Sequence, residues 1–243
     1  YMFGAKLNLI SVGTNAKTKK GDTDESLTAI MYLAPNTISG HDVCPSATPG
    51  CIASCLFTAG RGMMNSVQQA RIRKTKLFFE DIHSFVDLLY KDIYKFSEFC
   101  SKNNIQAYVR LNGTSDIRWE TIYFASPSNV VGNIFDHFPG VRFYDYTKIP
   151  NRKIPTKNTN YKLTYSRDEN DTPETVSAQI KKGLNVSAVF EKSLPGTYYG
   201  HTVVDGDVDD MRWNDPAGVI VGLKAKGLAR KDMSGFVIRT INI

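Results

Sequence analysis

Cysteine and histidine are both scarce here, four of each among 243 residues. Four cysteines cannot staple a chain of this length, which excludes a disulfide-built scaffold. No apolar run reaches the roughly 18 residues of a membrane-spanning helix. The leading stretch "YMFGAKLNLISVGTNAKTKKGD" lacks the apolar block of a secretory signal. These absences lead us to expect a cytoplasmic protein with no membrane partner, its thiols reduced or bound to metal. Neither GxSxG nor GxxxxGK[ST] occurs, which removes the serine-hydrolase elbow and the phosphate loop. No internal repeat is found, and the one linker-like segment, "TKIPNRKIPTKNTN" at 147–160, is short. A single domain over 1–243 is expected.

What the chain does contain is enough apolar material for a sizeable core, 42% of residues, and a basic excess of 30 over 24 acidic residues. β-branched and aromatic runs recur at 26–34, 105–113, 141–147, 161–166, 185–191, 201–207, 218–224 and 235–243. Helical patterns separate several of them. Over 82–100, Ile82, Phe85, Val86, Leu89, Ile93, Phe96 and Cys100 fall on one stripe. Thr172 as N-cap, Pro173 at the first position and Gly183 as a stop announce a second helix. Strand and helix in alternation predict an α/β fold, a full or partial (β/α) barrel with mostly parallel strands; a doubly wound open sheet is the rival.

In either fold the reactive groups belong at the carboxyl ends of the strands. There the sequence sets Arg110, Asn112, Thr114, Ser115 and Asp116, then Asp145, Thr147 and Lys148, then Ser166, Arg167 and Asp168, and finally Asp205, Asp207 and Lys224. Asp116, Asp145 and Asp205 are the candidate catalytic carboxylates, as general base, nucleophile or cation anchor. Ser166 and Lys224 are candidate cofactor contacts.

Three of the four cysteines crowd one loop after the first of these strands, "CPSATPGCIASCLFTAGRG" at 44–62. Pro45, Pro49 and Gly50 bend the connection, so Cys44, Cys51 and Cys55 are expected to converge on an inorganic centre. Zinc asks for a fourth ligand when structural, and His41 is the one histidine near enough in sequence to supply it. An iron–sulfur cluster is satisfied by thiolates, and with three it keeps one iron open. Cys100, on the apolar stripe, is read as a small buried hydrophobe. Basic residues gather at 61–76, 148–162 and 224–231 beside aromatics, which suits a nucleotide or nucleic acid. The acidic "DGDVDDMRWND" at 205–215 lacks the glycine and glutamate that an EF-hand calcium loop requires.

The cysteine string, followed by "NSVQQARIRKTKLFF", "VRLNGTSDIRWE", "FYDYTK", "LTYSRDEN" and "VIVGLKAKG", resembles the bacteriophage gene product 88 family in order across nearly the whole chain. The cysteine loop by itself is similar in placement to the three-cysteine loop of radical S-adenosylmethionine enzymes, with six and three residues between cysteines where those have three and two. That resemblance implies a 4Fe-4S cluster on Cys44, Cys51 and Cys55, S-adenosylmethionine as cofactor, and Asn112 and Thr114 of "NGTSD" near its methionine end. An alternative outline is similar to the guanine transglycosylases of DNA and tRNA, with Asp116 and Asp145 in catalysis and zinc as support. A third reading is a phage accessory protein that binds nucleic acid through a structural metal without catalysis.

Overall fold

The structure, a computed structural model, describes residues 6, 8–13, 22, 23 and 25–239. The last expected strand therefore lies partly outside the described residues, which end at Arg239. The observed architecture is mixed α/β around one largely parallel sheet. Its parallel strands are β2 (Ser26–Met31), β3 (Gln106–Arg110), β6 (Arg142–Thr147), β7 (Tyr161–Ser166), β8 (Asn185–Phe190), β10 (His201–Asp205), β11 (Ile220–Lys224) and β12 (Val237–Ile238). Two antiparallel strands close the edges, β1 (Ile10–Val12) beside β2 and β9 (Thr197–Tyr198) beside β10. A separate small ribbon pairs β4 (Phe124–Ala125) with β5 (Val131–Gly132). The sheet order is β1-β2-β3-β6-β7-β8-β11-β10-β9, and no closed barrel forms among the described residues.

Alternation along each strand sorts side chains onto two faces. Ala29, Met31, Ala107, Val109, Phe143 and Leu163 meet the helices on one face. Those helices are α2 (Asn65–Glu80) and α3 (Ile82–Lys102) between β2 and β3, α4 (Ile134–His137) before β6, and α5 (Pro173–Lys181) between β7 and β8; the short α1 (Pro49–Ala53) lies in the cysteine loop. Helix α3 carries the predicted stripe: Phe85, Leu89, Ile93, Phe96 and Cys100 are buried, Cys100 among them as a core thiol. Each large apolar side chain so covered contributes about 1.5–3 kcal/mol. Asp81 caps this helix by accepting from Ser84 N, and Thr172 caps α5 in a capping box with Pro173 at its first turn.

The second face has a different cover. The connection from β8 skips one position to β10 on the helix side, where Leu194 joins Val176 and Ile180. The next connection steps back from β10 to β11, and a right-handed crossover in the reversed direction must use the opposite face. It does: residues 206–219 run across that face, with Met211 against Tyr108 and Tyr144 and Trp213 beside them. Gly206 starts the descent where a Cβ would sit 2.4 Å from Val221 Cγ1. Asp210 pairs with the Arg110 guanidinium at 3.2 Å and accepts from the Tyr144 hydroxyl. The acidic segment is thus a plug of the sheet.

The edge of β8 that β7 leaves at Ser187 is taken up by β12, which pairs at Val189 and Phe190. Arg167 holds this insertion, donating to the Gly235 and Phe236 carbonyls at 2.7 and 3.1 Å.

Candidate functional site

The carboxyl edge of the sheet gathers the cysteine loop, the loop after β3, Lys148 after β6 and 167–169 after β7. Two hydrogen bonds lay the β3 loop along the β2 loop: Gly113 N to Met31 O and Asp116 N to Val43 O. This sets Cys44 over Thr114, whose carbonyl lies 3.8 Å from the Cys44 sulfur, while Asn36 N donates to that sulfur at 3.4 Å. Cys51 rides on α1. Thr48 caps that helix, and Glu169 clamps it from across the edge, accepting from Gly50 N at 2.7 Å and from the Thr48 hydroxyl at 2.8 Å. Only glycine permits this approach, since a Cβ at position 50 would lie 2.7 Å from a Glu169 oxygen. Cys55 follows as the cap of a 3-10 turn, Leu56–Thr58.

The three thiols are mutually felt. Burial pushes the Cys44 thiol up to about 12, with Asn36 N opposing and Cys55, Cys51 and Asp116 adding to the rise. Burial likewise carries Cys51 up to about 11, with Lys148 opposing and Cys55 adding. Cys55 is raised by burial against the Phe57 amide and Arg71. All three are neutral thiols near pH 7, and a metal centre bound there would have to displace their protons.

Two cations adjoin them. Lys148 is buried, its Nζ donating to the Ser166 carbonyl and hydroxyl and to the Arg167 carbonyl at 2.9, 3.2 and 3.1 Å; burial lowers its pKa, with Cys51 the first charge opposing that. Arg71, from α2, sits over the Tyr32 and Phe57 rings, its Cζ 4.7 and 5.6 Å from their centroids. Sequence reasoning set Lys148 and Arg71 among the basic residues of a binding patch and passed over Glu169. The signal for Arg71 was its place one helical turn from Thr75, whose hydroxyl binds Ala34 N and fixes the helix against the loop after β2.

Other expected site residues are committed elsewhere. Asn112 is buried; its Oδ1 accepts from the Ser115 hydroxyl, Ile117 N and Trp119 Nε1, and its Nδ2 donates to Ile117 O, so it organises its own loop. Thr114 donates its hydroxyl to Leu33 O. Asp116 and Asp145 are buried as well. Asp116 pairs with Arg152 Nη1 at 2.8 Å and accepts from Lys148 N, and Arg152 also forks onto Glu120. Asp145 accepts from Asn112 N at 2.7 Å and from the Tyr161 hydroxyl. Asp205 is exposed at the far end of the edge, 3.8 Å from Lys224 Nζ, and Asp207 pairs with Lys226. Ser166 remains at the centre of the edge through Lys148; Lys224 stands with Asp205. His41 stacks on Phe79 at 4.5 Å with its Nε2 4.0 Å from Glu80, turned to α2. Among the described residues, no three His, Cys, Asp or Glu side chains are close enough to hold a single metal ion, and no helix is long and apolar enough to cross a membrane.

Of the basic cluster at 148–162, Lys148 and Arg152 are buried and Lys157 pairs with Asp136 at 2.7 Å, while Lys153 is exposed.

Fold and site together define an α/β protein with a largely parallel sheet whose carboxyl edge carries three half-buried thiols flanked by cations. A family model described as gene product 88 matches residues 8–240, and the chain belongs to that family. No curated protein and no solved structure matches it. The likeness of the cysteine loop to radical S-adenosylmethionine enzymes gains no support from these comparisons.

Proposed function

We propose that this protein is an iron–sulfur enzyme of radical S-adenosylmethionine-like type that acts in the cytoplasm on a nucleotide or nucleic acid, its sheet serving as a partial (β/α) barrel. One observation carries the reading: Cys44, Cys51 and Cys55 all come from the loop after the first parallel strand, and the charge of Cys55 reaches both Cys44 and Cys51. A 4Fe-4S cluster spreads its thiolates more widely than a single ion does, and with three of them it offers an open iron to S-adenosylmethionine as an electron source. His41, stacked on Phe79, favours that centre over a Cys3His zinc site.

The chain's own groups then have distinct tasks. Lys148 and Arg71 offset the charge of the ionised thiols in a region where water is scarce. Glu169 fixes α1 and therefore the spacing of Cys51 relative to Cys44. The 206–219 plug closes the face beneath, which confines a ligand to the carboxyl edge. Ser166, held by Lys148, is the expected cofactor contact nearest the thiols, while Lys224 stands apart with Asp205.

Protein purified without oxygen tests this. It should contain iron and sulfide and absorb broadly near roughly 400 nm. Replacement of Cys44, Cys51 or Cys55 by alanine should abolish that absorbance, while Cys100→Ala should keep it. Folded, colourless protein holding zinc or no metal overturns the reading.

A further inference from the structure

Arg71 is a charged group of this edge with no hydrogen-bond acceptor for its guanidinium among the described residues, whereas Arg167, with Nε also unpartnered, at least binds two carbonyls through Nη1. The side chain is nine-tenths buried, and both Nε and Nη1 are enclosed with no hydrogen-bond partner. Lys148, equally buried, has three acceptors on its ammonium, and Arg152 has two carboxylates. What Arg71 has instead is two ring faces, with Tyr32 and Phe57 centroids 4.7 and 5.6 Å from its Cζ. A cation over an aromatic face recovers part of its lost hydration, but it leaves the N–H donors unsatisfied. Buried donors in native structures are nearly always paired, and the exceptions call for an explanation such as an absent ligand.

We propose that Arg71 is the receptor for an oxyanion, a phosphate or a carboxylate, carried by the ligand that enters the edge beside Cys55. The guanidinium is held in advance: it lies over the Tyr32 and Phe57 rings, and Thr75 ties its helical turn to the loop after β2 by accepting from Ala34 N and donating to Arg71 O. Arginine suits the task because its charge persists when desolvated and its donors lie in a fixed plane that meets two oxygens at once. Phe57 comes from the turn that Cys55 caps, so the anion would lie against the thiol trio. This deepens the reading above and rests on it for the identity of the ligand, as a nucleotide supplies a phosphate and S-adenosylmethionine a carboxylate.

The test compares wild type with Arg71→Met by calorimetric titration of the anaerobically purified protein, with iron measured in the same samples. The probes are AMP against adenosine, and S-adenosylmethionine against methylthioadenosine, which lacks the carboxylate. Loss of charge-assisted hydrogen bonds should weaken the probe that carries the oxyanion by about 10- to 100-fold and leave the counterpart without it unchanged. Weakening confined to AMP identifies a phosphate; weakening confined to S-adenosylmethionine identifies a carboxylate. Without ligand, Arg71→Met should melt no lower than wild type, because it removes an uncompensated buried charge. Equal affinities in the two proteins, or failure of wild type to bind either probe that carries an oxyanion, overturns the proposal. Should Arg71→Met not fold, Arg71→Lys decides, with a loss of about tenfold expected and unchanged affinity fatal. Iron-free protein that still binds the anion through Arg71 would refute the cluster alone; iron-loaded protein indifferent to Arg71 would refute the receptor alone.

Discussion

Replacing Asp145 by asparagine should reshape how stability depends on pH. The carboxyl is 1% exposed and meets Asn112 N at 2.7 Å and the Tyr161 hydroxyl at 3.2 Å. Burial raises its pKa from 3.8 to about 7, against the Asn112 amide and the charges of Arg110 and Arg152. The folded chain therefore holds a proton that the unfolded chain has released between about pH 4 and 7. Unfolding free energy must fall as pH rises through that window and level off above it. At 1.36 kcal/mol per pH unit, the full penalty above pH 7 is about 4 kcal/mol. Asparagine has no proton to lose, and its Oδ1 keeps the acceptor for Asn112 N, while its Nδ2 takes the place facing the Tyr161 hydroxyl, where it donates to that oxygen. Near pH 4 the variant should match or trail wild type; by pH 8 it should have gained up to about 4 kcal/mol on it. Urea titrations followed through Trp119 and Trp213 emission would measure this. Asp22, raised by burial to about 6, bends both curves in the same direction and cancels from the difference. A difference that stays flat with pH would refute the argument, and one of opposite slope would show Asp145 ionised in the folded protein.

Arg152→Met should cost about 3–5 kcal/mol in urea unfolding, because it strands Asp116 and Glu120 without their shared cation; adding Asp116→Asn and Glu120→Gln should restore much of it. Glu169→Ala should speed modification of Cys51 and Cys55 by a thiol reagent by about tenfold, as the loss of two hydrogen bonds of about 1–1.5 kcal/mol frees α1, with little change in the global unfolding midpoint. Asp210→Ala should lower stability by about 3 kcal/mol through the buried Arg110 left behind, and should raise fluorescence sensitivity of Trp213 to quenchers as the plug loosens.

Local patterns in the sequence reported local structure well. The run 161–166 is a strand from end to end, and the stripe from Ile82 to Cys100 lies within the helix Ile82–Lys102. Both signals depend on side chains within a few residues of each other, so no knowledge of the fold is needed to see them. The plug was illegible for the opposite reason. "DGDVDDMRWND" reads as a solvated acidic turn because Arg110, the cation that buries Asp210, is 100 positions away. Whether Asp116 and Asp145 are free carboxylates or anchors likewise depends on Arg152 and Tyr161, which arrive from other strands and loops. Arg71 looked like one basic residue in a helix with Arg73 and Lys76; only packing distinguishes the inward side chain from its exposed neighbours.

The reversal of β10 and β11 decides where chemistry can occur. Had β11 followed β10 outward, its connection would have stayed on the helix face and left the other face open to solvent and ligands. Stepping back sends residues 206–219 across that face, with Arg212 at 2% exposure among them, so the carboxyl edge is left as the way in. At that edge, Arg110 and Arg152 are spent on carboxylates, while Arg71 and Lys148 adjoin three neutral thiols. Lys148 has the carboxylates of Asp168, Asp171 and Glu169 near it, whereas Arg71, beside protonated sulfur, has no carboxylate partner among the described residues to offset its desolvation. Ionised thiols gripping a metal centre, with an oxyanion on Arg71, would supply that offset, and melting temperature should then rise when cluster and nucleotide are both bound. If reconstitution with iron and sulfide leaves the melting temperature where it was, the cations serve packing alone.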